Sequence, residues 1–293
     1  MLHTEGTFAG KDGTSLYYQS WHPVAPPKAI LGILHGLGGH SNLYRNIVQA
    51  IVPQGYAIYG MDLRGHGRSS GQRGYINQWT EFREDFDCFR QLIATQHPVL
   101  PCFVMGHSLG SIVVLDYALH DLDGLSGMIL MAPPLKPVGV PPLRLAIGRM
   151  VSQVYPRFTL NTGISHKAIS RNPEVVAAYM NDPLRHTKGT ARLVTEYFKT
   201  IQWIEANLHY LQTPILLLHG SADAIALPES SNFLFEQIQV ADKEFRFYPE
   251  AFHDLHNDTD YQQVVNDLLF WLERHIEGDL NWCQWSDSRG ISA

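Results

Sequence analysis

The 293-residue sequence predicts an α/β fold: a doubly wound, mostly parallel sheet with a helical cap inserted after the sixth strand. Three observations point there. Short apolar runs without polar alternation recur along the chain, as in strands buried on both faces of a parallel sheet. Helix-period segments separate them. One long basic stretch then breaks the rhythm and shows no convincing strand.

In chain order, residues 7–22 alternate around Asp12-Gly13 and predict an opening β-hairpin. Further strands are predicted at Ala29–Leu34, Tyr56–Met61, Cys102–Met105, Ser126–Met131, Ile215–Leu218 and Glu244–Tyr248. Trp79, Phe82, Phe86, Phe89 and Ile93 recur at helical spacing and form one apolar stripe, which belongs to the core. Tyr261, Val264, Leu268, Trp271 and Ile276 mark a final helix. The tail after Glu277 has no pattern, although Trp282 and Trp285 suggest that it packs back onto the body. The exceptional stretch starts at Pro133, where ten Lys and Arg from Lys136 to Lys199 face only Glu174, Asp182 and Glu196. It reads as a helical cap over residues 133–200, with residues 1–132 and 201–293 forming the core.

Composition narrows the function classes. Apolar residues make up 45% and charged residues 17%, and a chain of this length buries roughly 75% of its unfolded surface. Disorder, collagen and coiled coil are excluded. A net charge of −6 removes a global basic field for nucleic acid. Three cysteines, Cys88, Cys102 and Cys283, without a C-x-x-C, predict reduced thiols rather than a disulfide framework. No basic region followed by an apolar run opens the chain, and no apolar stretch of about 18 residues occurs. The expectation is a cytoplasmic protein that touches a membrane at most peripherally.

Two G-x-S-x-G strings occur, and context separates them. Gly106-His107-Ser108-Leu109-Gly110 follows an apolar strand and precedes a helical run, which is the sharp elbow that exposes a serine hydroxyl. Gly67-Arg68-Ser69-Ser70-Gly71 has no strand beside it, so Ser69 reads as part of a solvated turn. A serine hydroxyl needs an adjacent base, itself held by a third group. Downstream, the strand at Ile215–Leu218 runs into Asp223, and the next strand runs into His253. Both therefore leave the same sheet edge as Ser108. Asp223 would orient the His253 imidazole and offset its charge. Asp254 reads as pointing elsewhere on that loop, and His256 as helix N-terminal surface. One oxyanion donor should be the Leu109 N–H, and the other the Leu37 N–H in the glycine-rich His35–His40 loop. Neither H-E-x-x-H nor H-x-H occurs, nor a phosphate-binding G-x-x-x-x-G-K-[ST], so no metal or cofactor is expected.

HGLGGHSNLY (35–44), DLRGHGRSSGQRGY (62–75), GHSLG (106–110), HGSADAIALP (219–228) and FHDLHND (252–258) stand in order. This set resembles the monoacylglycerol lipase and lysophospholipase branch of the α/β-hydrolases, the serine aminopeptidase-like family. The resemblance spans roughly residues 5–275, with Ser111 standing where relatives often have a second glycine. It implies Ser108 as nucleophile, Asp223 and His253 as its partners, and a helical cap where the basic stretch falls. The implied activity is a serine ester hydrolase acting on a single-chain acyl lipid, monoacylglycerol or lysophospholipid, through an acyl-enzyme. The implied partner is that small acyl ester; separately, the basic excess of the cap on an acidic protein predicts peripheral contact with an anionic membrane. Val138, Val140, Leu143, Leu145, Ile147, Met150, Val151 and Val154 of the cap would line an acyl channel or pack the cap down. A small-ester carboxylesterase and a serine aminopeptidase are the competing hydrolase readings. A peptidase, however, needs an anionic group to hold the substrate ammonium, against the basic cap. A hydrolase-fold binding protein would normally lack a member of the triad, and none is missing here.

Overall fold

The computed structural model describes residues 1–120, 124–136 and 142–287, with backbone alone for 142–145 and 277–287. Its main sheet has eight strands: β1 (Leu2–Ala9), β2 (Ser15–His22), β3 (Ala29–Leu34), β4 (Tyr56–Met61), β5 (Cys102–His107), β6 (Gly127–Met131), then β9 (Ile215–Gly220) and β10 (Lys243–Tyr248). Their spatial order is β1-β2-β4-β3-β5-β6-β9-β10. The opening hairpin pairs antiparallel, β2 lies antiparallel to β4, and every later pairing is parallel. At the hairpin turn Asp12 Oδ1 accepts from Thr14 N–H (3.0 Å), and Gly13 takes a φ of +82° that a glycine adopts without strain.

Strands β3, β4, β6 and β9 are buried along their whole length, which explains their unalternating apolar sequences. Helices cover both faces. On one side lie α2 (Thr80–Gln96), α3 (Leu109–His120), buried along all but its last residue, and α7 (Glu229–Gln237); on the other lie α1 (Arg45–Ile51) and α8 (Tyr261–Asp287). The predicted stripe Phe82, Phe86, Phe89 and Ile93 is buried as expected, with Phe86 edge-on to Tyr117 at 4.7 Å. Helix α8 continues through Asp287, beyond the last residue of the predicted pattern. The side chains of Trp282 and Trp285, and that of Cys283, lie outside the described residues.

Above the carboxyl edge sit α4 (Pro142–Val154), β7 (Thr159–Asn161), α5 (Pro173–Asn181), β8 (Lys188–Thr190) and α6 (Ala191–Asn207). The stretch is therefore not purely helical: β7 and β8 form a small antiparallel ribbon pairing Thr159 with Thr190. Strands of three residues are too short to show a two-residue alternation, so the sequence could not reveal them. Asn172 caps α5 by accepting from Glu174 N–H (2.9 Å), with Pro173 at the first helical position. Thr190 caps α6 through Leu193 N–H (3.2 Å). Helix α6 then runs past residue 200 without a break and buries Ile201 and Ile204 in the core under α3. Val138 and Val140 lie outside the described residues, as do the side chains of Leu143 and Leu145. Ile147, Met150 and Val154, expected to line a channel or pack inward, are half or more exposed.

Phe86 is 1% exposed inside the α2–α3 seam. Phe86→Ala should cost about 3–5 kcal/mol, read as a lowered denaturant midpoint with an unchanged slope. A loss below about 1 kcal/mol would contradict the packing described.

Candidate active site

Ser108 lies at the elbow between β5 and α3 with a φ of +52°. A non-glycine residue there is strained and persists only where its surroundings hold it. Its N–H donates to the Met131 carbonyl (2.9 Å), and its carbonyl accepts from the Ser111 N–H (2.9 Å) and hydroxyl. The Ser111 hydroxyl thus adds a second bond to the turn. Crowding explains the flanking glycines. A methyl group on Gly106 would lie 2.5 Å from the Gly110 oxygen, and one on Gly110 2.3 Å from the Leu34 oxygen. On the next strand loop, a methyl on Gly36 would lie 2.9 Å from Ser108 Cβ.

That loop is fixed by buried His35, which contacts the Gly36 carbonyl through Nδ1 (2.7 Å) and accepts from Leu63 N–H at Nε2 (2.9 Å). Its curl, closed by Gly39 N–H donating to Gly36 (3.0 Å), places Leu37 against the same cavity as Ser108. Leu109 opens α3, so its N–H has no acceptor within the helix. Both predicted oxyanion residues therefore flank Ser108.

Asp223 and His253 come together from the adjacent strands β9 and β10. A methyl on Gly220 would lie 2.3 Å from the Ala251 oxygen, so the loop after β10 folds tightly over the end of β9. His253 Nδ1 then sits 2.7 Å from Asp223 Oδ2, with both side chains buried. Asp223 Oδ1 accepts from the amides of Ile225 (2.8 Å) and Ala226 (3.0 Å), and His219 Nε2 lies 3.3 Å from Oδ2. Burial opposes the Asp223 charge, yet the His253 and His219 rings hold its carboxyl well below the usual range. Burial likewise pulls His253 down, but Asp223 beside it outweighs this and raises it above the ordinary histidine value. Ser108 and His253 line one cavity.

Three expectations need correction. Ser69 is not solvated: it is buried, accepting from Tyr17 N–H (2.8 Å) and donating to the Asp62 carbonyl (2.5 Å). Asp254 does not point away: it is buried on the Ser108 cavity, accepting from the Tyr179 hydroxyl and lying 3.5 Å from His107 Nε2. Burial opposes its charge as well, but His107 beside it keeps the carboxyl low. His256 is not surface either. It stacks on Tyr44 at 4.4 Å, is 1% exposed, and both its ring nitrogens lack partners. Burial pushes its pKa down to about 4, so the ring is neutral. The FHDLHND string held both residues, but sequence gives no sign of burial for a polar side chain in a loop. Tyr44, Tyr179 and Arg185 also belong to this region, and no local signal marked them.

Ligand atoms of His107, His253 and Asp254 lie within 4.8 Å of one another, a grouping that no sequence spacing foretold. It suits a cation poorly. One ring nitrogen of His253 is held by Asp223, and the Arg185 guanidinium lines the same cavity.

The parallel sheet, the serine elbow and the loops that converge on it define an α/β-hydrolase. Residues 25–260 match the serine aminopeptidase, S33, family, and the chain belongs to it. The monoacylglycerol lipase of Mycolicibacterium smegmatis is 30% identical over 93% of this chain and 98% of its own length. Human monoglyceride lipase is 27% identical over 90% of this chain and 88% of its own. Among solved structures, the monoacylglycerol lipase of Paleococcus ferrophilus superposes with a TM-score of 0.82 at 29% identity, covering 89% of this chain and 99% of that one. The chain is thus a serine ester hydrolase of the monoacylglycerol lipase branch.

Asp223→Asn removes the charge that raises His253 and leaves burial, which lowers it. The His253 imidazole should then titrate below its wild-type position and below about 6.5, followed by NMR. An unchanged titration would show that Asp223 does not govern the ring.

Proposed function

We propose that the protein hydrolyses the ester bond of single-chain acyl lipids, monoacylglycerol or lysophospholipid, through a triad of Ser108, His253 and Asp223. Ser108 Oγ attacks the ester carbonyl while His253 Nε2 takes its proton. The oxyanion is met by the Leu37 and Leu109 N–H groups. The His253 proton then passes to the leaving alcohol, and the acyl group stays on Ser108. Water repeats the sequence, with His253 again as base, and releases the fatty acid.

One observation carries this reading: Ser108 lies where two unlike cavities meet. The larger, about 430 Å³, is lined mainly by apolar groups, among them Leu109, Pro134, Leu193, Val194 and Phe198, with Lys136, Arg149 and Lys199 also on its wall, and suits an acyl chain. The smaller, about 50 Å³, holds His253, Asp254, His256 and Arg185 and suits a polar alcohol. Ser108→Ala should abolish both ester hydrolysis and labelling by a fluorophosphonate, a loss of about 10⁴-fold or more in kcat. Ser69→Ala should keep the labelling while losing about 1–3 kcal/mol of stability, because Tyr17 N–H loses its acceptor. Labelling that survives in the Ser108 variant would overturn the assignment.

The cap supports docking on a lipid surface. Ile147, Met150, Val154, Tyr155 and Phe158 are all half or more exposed, and Arg149 and Arg157 lie among them in sequence. Salt bridges to acids outside the cap hold Lys136 to Glu205 and Arg171 to Asp258, so the basic excess at the surface is smaller than the sequence count. Binding should therefore draw on apolar contact as well as charge. In liposome co-sedimentation, anionic vesicles should retain the protein at about 50 mM salt and release part of it at high salt, with Met150→Asp weakening both. Equal weak binding to all vesicles by both proteins would refute the docking surface.

A further inference from the structure

We propose that the narrow cavity beside Ser108 receives the leaving alcohol and that Arg185 makes it select alcohols bearing an anion, a phosphate or a carboxylate. This rests on the reading of Ser108 as the nucleophile towards an acyl ester. The two substituents of an ester carbonyl at Ser108 must part, and the apolar cavity takes the acyl chain. The alcohol then falls in the polar one.

Arg185 lies in the segment between α5 and β8, with its guanidinium 3.8 Å over the Tyr179 ring. Its Nε and Nη1 are buried and have no hydrogen-bond partner, and no carboxylate among the described residues forms an ion pair with it. The acids nearest in the fold are already engaged. Asp254 accepts from Tyr179 and faces His107, while Asp182 is paired with His40 at 2.8 Å. Two buried guanidinium N–H groups without an acceptor are costly, although ionised Asp254 shares the cavity wall, and a ligand oxyanion within reach would satisfy them. Guanidinium groups favour oxyanions of phosphate and carboxylate.

The rest of the cavity fits a small hydroxylated head. Both ring nitrogens of neutral His256 are unpartnered and can donate to or accept from alcohol hydroxyls. A volume of about 50 Å³ admits only a few water-sized groups, at about 10–15 Å³ each, so the head is compact. A two-carbon alcohol bearing a carboxylate meets these limits most closely, and a second acyl chain does not. Hydrolysis of such an ester consumes one water and yields the fatty acid and the anionic alcohol, with no other reactant.

The test compares three oleoyl esters presented in the same detergent micelles: 1-oleoylglycerol, 1-oleoylglycerol 3-phosphate and the oleoyl ester of glycolate. Wild type should favour at least one charged ester over the neutral one by about tenfold or more in kcat/KM, and the two charged arms show which anion is preferred. Arg185→Gln should reduce that charged-to-neutral ratio by about tenfold, mainly through KM, and Arg185→Lys should restore part of it. As an equilibrium check on wild type alone, glycerol 3-phosphate or glycolate should compete with substrate far below the concentration at which glycerol does. A ratio unchanged by Arg185→Gln, or equal competition by the anions and glycerol, would overturn the role of Arg185. If wild type cleaves none of the three esters, or cleavage survives Ser108→Ala, the acyl-ester reading itself falls and takes this inference with it.

Discussion

Everything at the site depends on one backbone crowding. Strand β5 must turn into α3 so sharply that Gly106, Gly110 and Gly36 have no room for a methyl group, and Ser108 is forced to a φ of +52°. The strain is held because buried neighbours on both sides are themselves immovable: Met131 in β6 and Leu34 in β3 are fully enclosed. The apolar sheet is thus more than a scaffold. It supplies the rigidity that keeps a hydroxyl in a conformation its own chain would not choose.

Around this fixed point the electrostatics divide the site in two. Asp223 is charged and committed to His253, whose pKa it raises against burial. His107 and His256 are driven to about 3 and about 4 by burial, so they stand neutral beside the one raised imidazole. Of the four histidines around the elbow, His35, His107 and His256 are pulled down by burial and only His253 is raised, by Asp223. Of the three rings on the serine's cavity, only that of His253 is raised by a carboxylate at hydrogen-bond distance.

The sequence carried much of this, and its limits have physical causes. Strands buried on both faces leave continuous apolar runs, so β3, β4, β5, β6 and β9 could be read with nearly their observed bounds. The elbow could be read because glycine spacing and a strand–helix switch coincide at Ser108. Asp223 and His253 followed from strand ends at a common edge. Burial of polar groups was not readable, because a loop histidine or serine looks alike in sequence whether it is solvated or enclosed. Ser69, Asp254 and His256 were misplaced for that reason. The excess of basic residues was visible, but not that Arg185 turns inward while Arg171 is held by Asp258.

Helix α6 gives the cap a consequence for engineering. It starts at the ribbon, under the Thr190 cap, and ends with Ile201 and Ile204 sealed beneath α3. Its first half therefore lines the larger cavity beside Ser108, and its second half belongs to the body. A graft that exchanges specificity between relatives has to end its insert at the ribbon, ahead of Ala191. One that swaps the helix whole would import a foreign surface into the hydrophobic interior and would forfeit the fold before it altered the pocket.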